Sequence, residues 1–90
     1  MKKPSVKQVI IDFLYQRLQY GNNEVSSHHF ESTLPQWGEK YWDVRHNPST
    51  YSRAWRSLKS GNELEKIDVT NVIIKNTTTK ERTWILVQNM

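Results

Sequence analysis

Residues 47–61 read NPSTYSRAWRSLKSG and carry the signals that begin and end a helix. Asn47 is a favoured N-cap, and Pro48 suits the first helical turn because its missing N–H costs nothing there. Gly61 suits the left-handed position that follows many helices, and Lys59 in the last turn complements the helix dipole. The segment is therefore predicted to be a helix.

The side chains of this segment divide into two faces. An apolar stripe with helical spacing, suited to packing on a core, consists of Tyr51, Ala54, Trp55 and Leu58. The opposite face carries cations and short hydroxyl side chains, namely Ser49, Ser52, Arg53, Arg56, Lys59 and Ser60. No Asp or Glu lies between Val44 and Asn62, whereas a face that only meets solvent usually mixes charges. Two interpretations stay open: a surface that contacts nucleic acid, or a solvated helix face.

Length and composition indicate one folded domain over residues 1–90, with its core at about residues 5–87. Hydrophobic residues make up 36% of the chain and the net charge is +4. Residues 44–62 contain four cations and no acid, which favours an anionic partner on one face. No apolar run approaches the roughly 18 residues of a membrane span, and no signal peptide is visible. The absence of cysteine excludes disulfides and fits an intracellular protein, in the cytoplasm or associated with the nucleoid.

The remaining elements follow from capping and periodicity. Ser5 and Gln8 form a capping box that begins a helix predicted over residues 5–20. Residues 24–26 are predicted to form a short strand and residues 28–34 a second helix. Pro35 either ends this helix or begins another turn with Thr33 as its cap. A strand running from Ile67 to Ile74, bulged near residues 70–71, and a strand over residues 82–87 form a hairpin with a polar tip at residues 75–81.

Residues 35–46, PQWGEKYWDVRH, combine aromatic residues with helix-weakening ones. Trp37, Tyr41 and Trp42 have partly helical spacing, but Gly38 weakens it. We predict a loop that packs these aromatic side chains over an incomplete core. The functional alternative is an aromatic loop that stacks on bases or on a protein partner.

The order of these elements resembles the winged helix-turn-helix domain, an α+β fold of three helices followed by a C-terminal β-hairpin wing. Its most specific part is STYSRAWRSL at residues 49–58, followed by Gly61 and a strand, which is similar to the recognition helix of that family. The resemblance implies that this helix enters the DNA major groove and that the wing contacts the backbone or minor groove. The matching positions are Ser49, Ser52, Arg53 and Arg56 on the helix and Lys75, Lys80 and Arg82 on the wing.

The chain departs from the family pattern between the second and third helices. About a dozen residues, 34–47, stand where the family has a turn of a few residues. Either the second helix lies further along the chain, toward Trp37 and Trp42, or the turn carries an insertion.

The sequence thus predicts a DNA-binding protein, a small regulator of transcription or replication whose partner is double-stranded DNA. Arg53 and Arg56 lie one turn apart, so that one can read a guanine edge while the other holds a phosphate. Together the predicted contacts are Ser49, Thr50, Ser52, Arg53, Arg56, Lys59, Arg45, Lys75, Lys80 and Arg82. The three wing cations fit solubility and protection of the hairpin edge equally well.

With few cations, specific binding would require a dimer or a protein partner. The alternative function is a protein-interaction module that uses the aromatic 35–46 loop. Adjacent His28 and His29 point about 100° apart on a helix, so no metal site is predicted. No nucleophile elbow, Gly-rich phosphate loop or carboxylate pair is present, so neither catalytic activity nor a cofactor is expected.

Overall fold

The structure, a computed structural model, describes residues 4–77 and 81–88. The elements in chain order are α1 (Val6–Gln19), β1 (Glu24–Ser26), a π-helical turn (His29–Thr33), α2 (Leu34–Trp42), α3 (Pro48–Ser60), a 3-10 turn (Glu63–Ile67), β2 (Val69–Thr77) and β3 (Arg82–Gln88). The described residues therefore form an α+β fold with three α-helices and one antiparallel sheet. Its three strands lie in the order β1-β3-β2, so the last strand of the chain is central.

The apolar stripe of α3 packs at the centre of the core, as predicted. Tyr51, Trp55 and Leu58 are buried, and Ala54 packs against them from the edge. Phe30 of the π-helical turn stacks on Trp55 with 4.9 Å between ring centroids. With these residues inside, the cationic side of α3 faces outward.

The first helix and the short strand agree with the sequence. Ser5 caps α1, because its side-chain oxygen accepts a hydrogen bond from the backbone N–H of Gln8 at 3.2 Å. The strand β1 pairs with β3, with Val25 opposite Trp84. The hairpin also carries the predicted bulge, since the register with β3 shifts between Val69 and Asn71.

Residues 28–34 are helical, as predicted, but the prediction of a loop over residues 35–46 is wrong for residues 35–42. The helix does not end at Pro35, and the aromatic residues that follow it are helical. Pro35 lies in the first turn of α2, where its missing N–H breaks no hydrogen bond. The second helix is thus displaced along the chain, which is the first of the two arrangements considered above, and residues 43–47 alone connect it to α3.

Gly38 explains how α2 can lie so close to α3. It is buried, and a Cβ atom at this position would lie 2.5 Å from Tyr51 Oη and 3.3 Å from Val44 Cγ2. The helix ends at Asp43, whose left-handed backbone (φ 51°) turns the chain toward α3. Gly38, which weakens the helical pattern in the sequence, is therefore the residue that allows α2 to pack against α3.

Three smaller predictions also differ from the structure. Gly61 is not left-handed, because its φ is −106°. Asn47 does occupy the predicted N-cap position, although its side chain makes no capping hydrogen bond. Ile67 is buried in a 3-10 turn, and the strand begins after it at Val69. The strand then continues to Thr77, so Lys75 lies within β2 and not in the tip of the hairpin.

His29 links the π-helical turn to β1 in a way that predicts a pH-dependent stability. Its Nδ1 accepts a hydrogen bond from the backbone N–H of Ser26 at 2.9 Å. Burial, together with the charges of Arg17 and His28, lowers the pKa of His29 below its usual 6.5. The folded state thus favours the neutral ring, and stability that is present above pH 6.5 is lost as the pH falls through 6.5 toward the lowered pKa.

We expect the urea midpoint to fall between pH 7 and pH 5 by more in the wild type than in His29→Gln, because the variant has no ring to protonate. His28→Gln, which removes an exposed histidine but keeps the half-buried ring of His29, is expected to retain most of the slope, because burial is the largest cause of the lowered pKa of His29. Equal pH slopes in the wild type and His29→Gln would show that His29 does not contribute.

Candidate nucleic-acid interface

The outward face of α3 presents most of the residues predicted to contact DNA. Ser49, Arg53 and Arg56 are exposed, and half-buried residues beside them are Thr50, Ser52 and Lys59. Within residues 4–77 and 81–88, the side chains of Arg53 and Arg56 form no ion pair. Both guanidinium groups are therefore available to an anionic partner, and each offers a planar fork of donors that matches phosphate or a guanine edge.

Two of the predicted cations already have acidic neighbours. Arg45 Nε lies 3.3 Å from Glu39 Oε1 of α2, and Lys75 Nζ lies 2.6 Å from Glu24 Oε1 of β1. Both pairs are exposed, so each contributes little to stability and can open at low cost. Arg45 and Lys75 are nevertheless partly neutralised by these carboxylates, whereas Arg53 and Arg56 are not paired in this way in the part of the chain that the structure describes. Lys80 lies outside the described residues.

Arg82, at the start of β3, lies beside the C-terminal half of α3. Its backbone N–H donates to Ser27 Oγ at 3.2 Å, which fixes the beginning of the strand. Burial, followed by the nearby charges of Arg82 and Arg56, lowers the pKa of Lys59 from its usual value. The sheet order thus brings cations from the helix and from the hairpin together.

A cavity of about 190 Å³ lies between these elements, and we call it the α3–β3 cavity. It is lined by Ser27, Phe30, Glu31, Ser52, Trp55, Arg56, Lys59, Arg82 and Trp84. Lys59 Nζ lies 4.6 Å from the ring centroid of Trp84 and 5.8 Å from that of Trp55, which are cation–π distances. Sequence reasoning did not identify Ser27, Glu31 or Trp84, because nothing local in the sequence shows that they face α3.

The aromatic residues of α2 form a second surface with α1. A groove of about 410 Å³ is lined by Asp12, Gln16, Tyr20, Trp37, Tyr41 and Trp42. Trp37 packs edge-on against Phe13 at 5.5 Å, while Trp42 Nε1 donates to Asp12 Oδ2 at 3.0 Å. Tyr41 and Trp42 are exposed. This groove shares no lining residue with the α3–β3 cavity.

The three histidines occupy separate environments. His28 is exposed, His29 bonds to Ser26, and the ring of His46 packs edge-on against Tyr51 at 5.6 Å. Within the part of the chain that the structure describes, no three His, Cys, Asp or Glu side chains are grouped as metal ligands. Nor does any helix in that part have the length and apolar character needed to cross a bilayer.

Comparison with protein-family models, curated proteins and solved structures finds no match to this chain. Function is therefore inferred from the two surfaces described above.

Proposed function

We propose that this protein binds double-stranded DNA as a small regulator of transcription or replication, on a winged helix-turn-helix fold. The observation that carries the proposal is the outward face of α3, where Arg53 and Arg56 are exposed and unpaired within the described residues. No acidic residue lies between positions 44 and 62, so α3 itself supplies no negative charge beside them. The short connection at residues 43–47 supports a helix-turn-helix made of α2 and α3.

In this proposal α3 enters the major groove and the β2–β3 hairpin lies along the backbone as a wing. One of Arg53 and Arg56 contacts a guanine edge while the other holds a phosphate. Hydroxyl groups at the start of α3, from Ser49, Thr50 and Ser52, add contacts to the same strand. Arg82 and, after release from Glu24, Lys75 reach the flanking phosphates. The protein acts by occupying DNA and not by catalysis.

The proposal is tested by titrating random and genomic duplexes with the protein at two salt concentrations, read by fluorescence anisotropy. Three to five phosphate contacts predict a log–log salt slope of roughly −3 to −5. Arg53→Ala combined with Arg56→Ala is expected to weaken binding by about 10- to 100-fold, because each arginine contact with a base or phosphate contributes about 1 kcal/mol or more.

Lys40→Ala combined with Lys66→Ala is the matched control. It removes the same charge from exposed positions outside α3 and is expected to change the affinity much less. Circular dichroism checks that both double variants fold. Binding that does not depend on salt, or an affinity that the arginine variant leaves unchanged, would rule out the proposal.

A second candidate function is favoured by the aromatic groove between α1 and α2. Tyr41 is 60% exposed and Trp42 36%, so two large side chains that typically anchor protein interfaces are accessible. Tyr41→Ala with Trp42→Ala should leave DNA binding intact under the first proposal. A partner interaction that only this variant abolishes would favour a protein-interaction module.

A further inference from the structure

We infer that the α3–β3 cavity binds one phosphate group of the nucleic-acid backbone, held by Arg56, Lys59 and Arg82. The inference rests on the proposed function and deepens it, because it identifies a defined phosphate site between the helix and the hairpin. A phosphate in this cavity would contact both elements at once and thereby fix the position of α3 relative to the wing.

The charges around the cavity are the first argument. Three cations, two from α3 and one from β3, line it together with a single carboxylate, that of Glu31. Burial, followed by repulsion from Arg82 and Arg56, disfavours the charged form of Lys59 and lowers its pKa. An anion between these three side chains would offset the repulsive part of this cost, which favours anion binding here.

The position of Lys59 is the second argument. Its side chain is half-buried, and its ammonium group lies over the rings of Trp84 and Trp55. The charge is therefore held in one place before any ligand arrives, which reduces the entropy lost on binding. A lysine that served solubility alone would extend into solvent.

The hydroxyl group of Ser27, in the cavity wall, is the third argument. The side chains of Trp55 and Trp84 also line the cavity, but their indole nitrogens are buried and add no accessible donor to it. Ser27 Oγ accepts from the Arg82 N–H and so keeps its own O–H for another acceptor. Phosphate oxygens are acceptors, so a phosphate in the cavity can accept a hydrogen bond from this hydroxyl group.

Arginine and lysine together favour phosphate over other anions. The guanidinium groups of Arg56 and Arg82 can each bind two phosphate oxygens, and Lys59 supplies a point charge. A carboxylate has only two oxygens and would leave part of this donor set unused. The cavity, at about 190 Å³, has room for a phosphate and its ester oxygens but not for a base pair.

The experiment compares single variants in duplex binding. Lys59→Gln and Arg82→Gln are each expected to weaken binding by about 3- to 10-fold for every duplex sequence and to reduce the salt slope by about 1. Lys66→Gln, which removes an exposed charge outside the cavity, is the matched control. Glu31→Gln should act in the opposite direction and strengthen binding several-fold, because it removes the only carboxylate among the lining residues.

A titration with inorganic phosphate, read from the indole N–H resonances of Trp55 and Trp84, distinguishes failure of the cavity from failure of the function. We expect saturable shifts in the wild type and none in Lys59→Gln. If duplexes bind but Lys59→Gln and Arg82→Gln behave like Lys66→Gln, the inference is overturned and the proposed function stands. If no duplex binds, the proposed function fails, and the phosphate response alone then decides: shifts that Lys59→Gln abolishes support the site, and their absence overturns it.

Discussion

Replacing Trp55 with alanine is expected to lower the free energy of unfolding by about 3–5 kcal/mol. The side chain is 2% exposed and has an aromatic ring on each side. Phe30 stacks on it with 4.9 Å between ring centroids, and Trp84 meets it edge-on at 5.6 Å. Alanine would leave a large cavity between α3, the π-helical turn and β3. Because these rings interlock, the structure can collapse only partly into the space.

Trp42→Ala is the matched control, because it deletes the same atoms from the surface. Trp42 is 36% exposed and makes one hydrogen bond, to Asp12. We expect this variant to lose no more than about 1.5 kcal/mol. Urea unfolding followed by circular dichroism measures both without relying on tryptophan fluorescence. Equal losses of unfolding free energy in the two variants would show that Trp55 is not central to the core.

The position of Trp55 was predictable because the evidence for it is local. In a helix whose outer face is polar, apolar residues that recur every three or four positions mark the buried side. Tyr51, Trp55 and Leu58 recur in this way within one segment, and all three are buried. The same holds for Ser5 at the start of α1. For Trp55 and Ser5, the residues that determine the structure lie within one or two helical turns, so the sequence indicates it.

The extent of the second helix was not predicted, because part of its cause is not local. Pro35 breaks helices in the interior but not in the first turn, and the sequence alone did not show where that turn begins. The low helix propensity of Gly38 is visible in the sequence, but its close approach to Tyr51 is not. A residue that disfavours a helix locally can be required by packing between helices.

The candidate site shows the same division. Arg53, Arg56 and Lys59 share one helix face, so helical periodicity was enough to group them. Their proximity to Arg82 depends on β3 lying at the centre of the sheet, next to both β1 and β2. Glu24, which pairs with Lys75, is 51 residues away in the chain. Contacts of this range follow from the sheet order, which periodicity does not reveal.

Replacing Gly38 with valine is expected to destabilise the fold by about 3 kcal/mol, the upper end of the usual cost of overpacking a core. Its Cβ would lie 2.5 Å from Tyr51 Oη, and Tyr51 is fully buried, so the phenol ring cannot move aside freely. Val44 closes the other side, with its Cγ2 at 3.3 Å from that Cβ. The helices α2 and α3 would have to separate, which would also disturb the turn that positions α3.

Two further variants test whether the contact with Tyr51 causes the loss of stability in Gly38→Val. Tyr51→Phe alone should be neutral or slightly stabilising, because Tyr51 Oη is buried without a hydrogen-bond partner in the described residues. In the Tyr51→Phe background, Gly38→Val should recover about 1 kcal/mol, since the closest contact is gone. Gly38→Val does not lower helix propensity, because glycine disfavours a helix more than valine does, so its loss of stability measures packing. Lys40→Val, on the exposed side of α2, is the control for a β-branched side chain in this helix. If it costs as much as Gly38→Val, or if Tyr51→Phe restores nothing, then the close approach of α2 to α3 at Gly38 does not hold in solution.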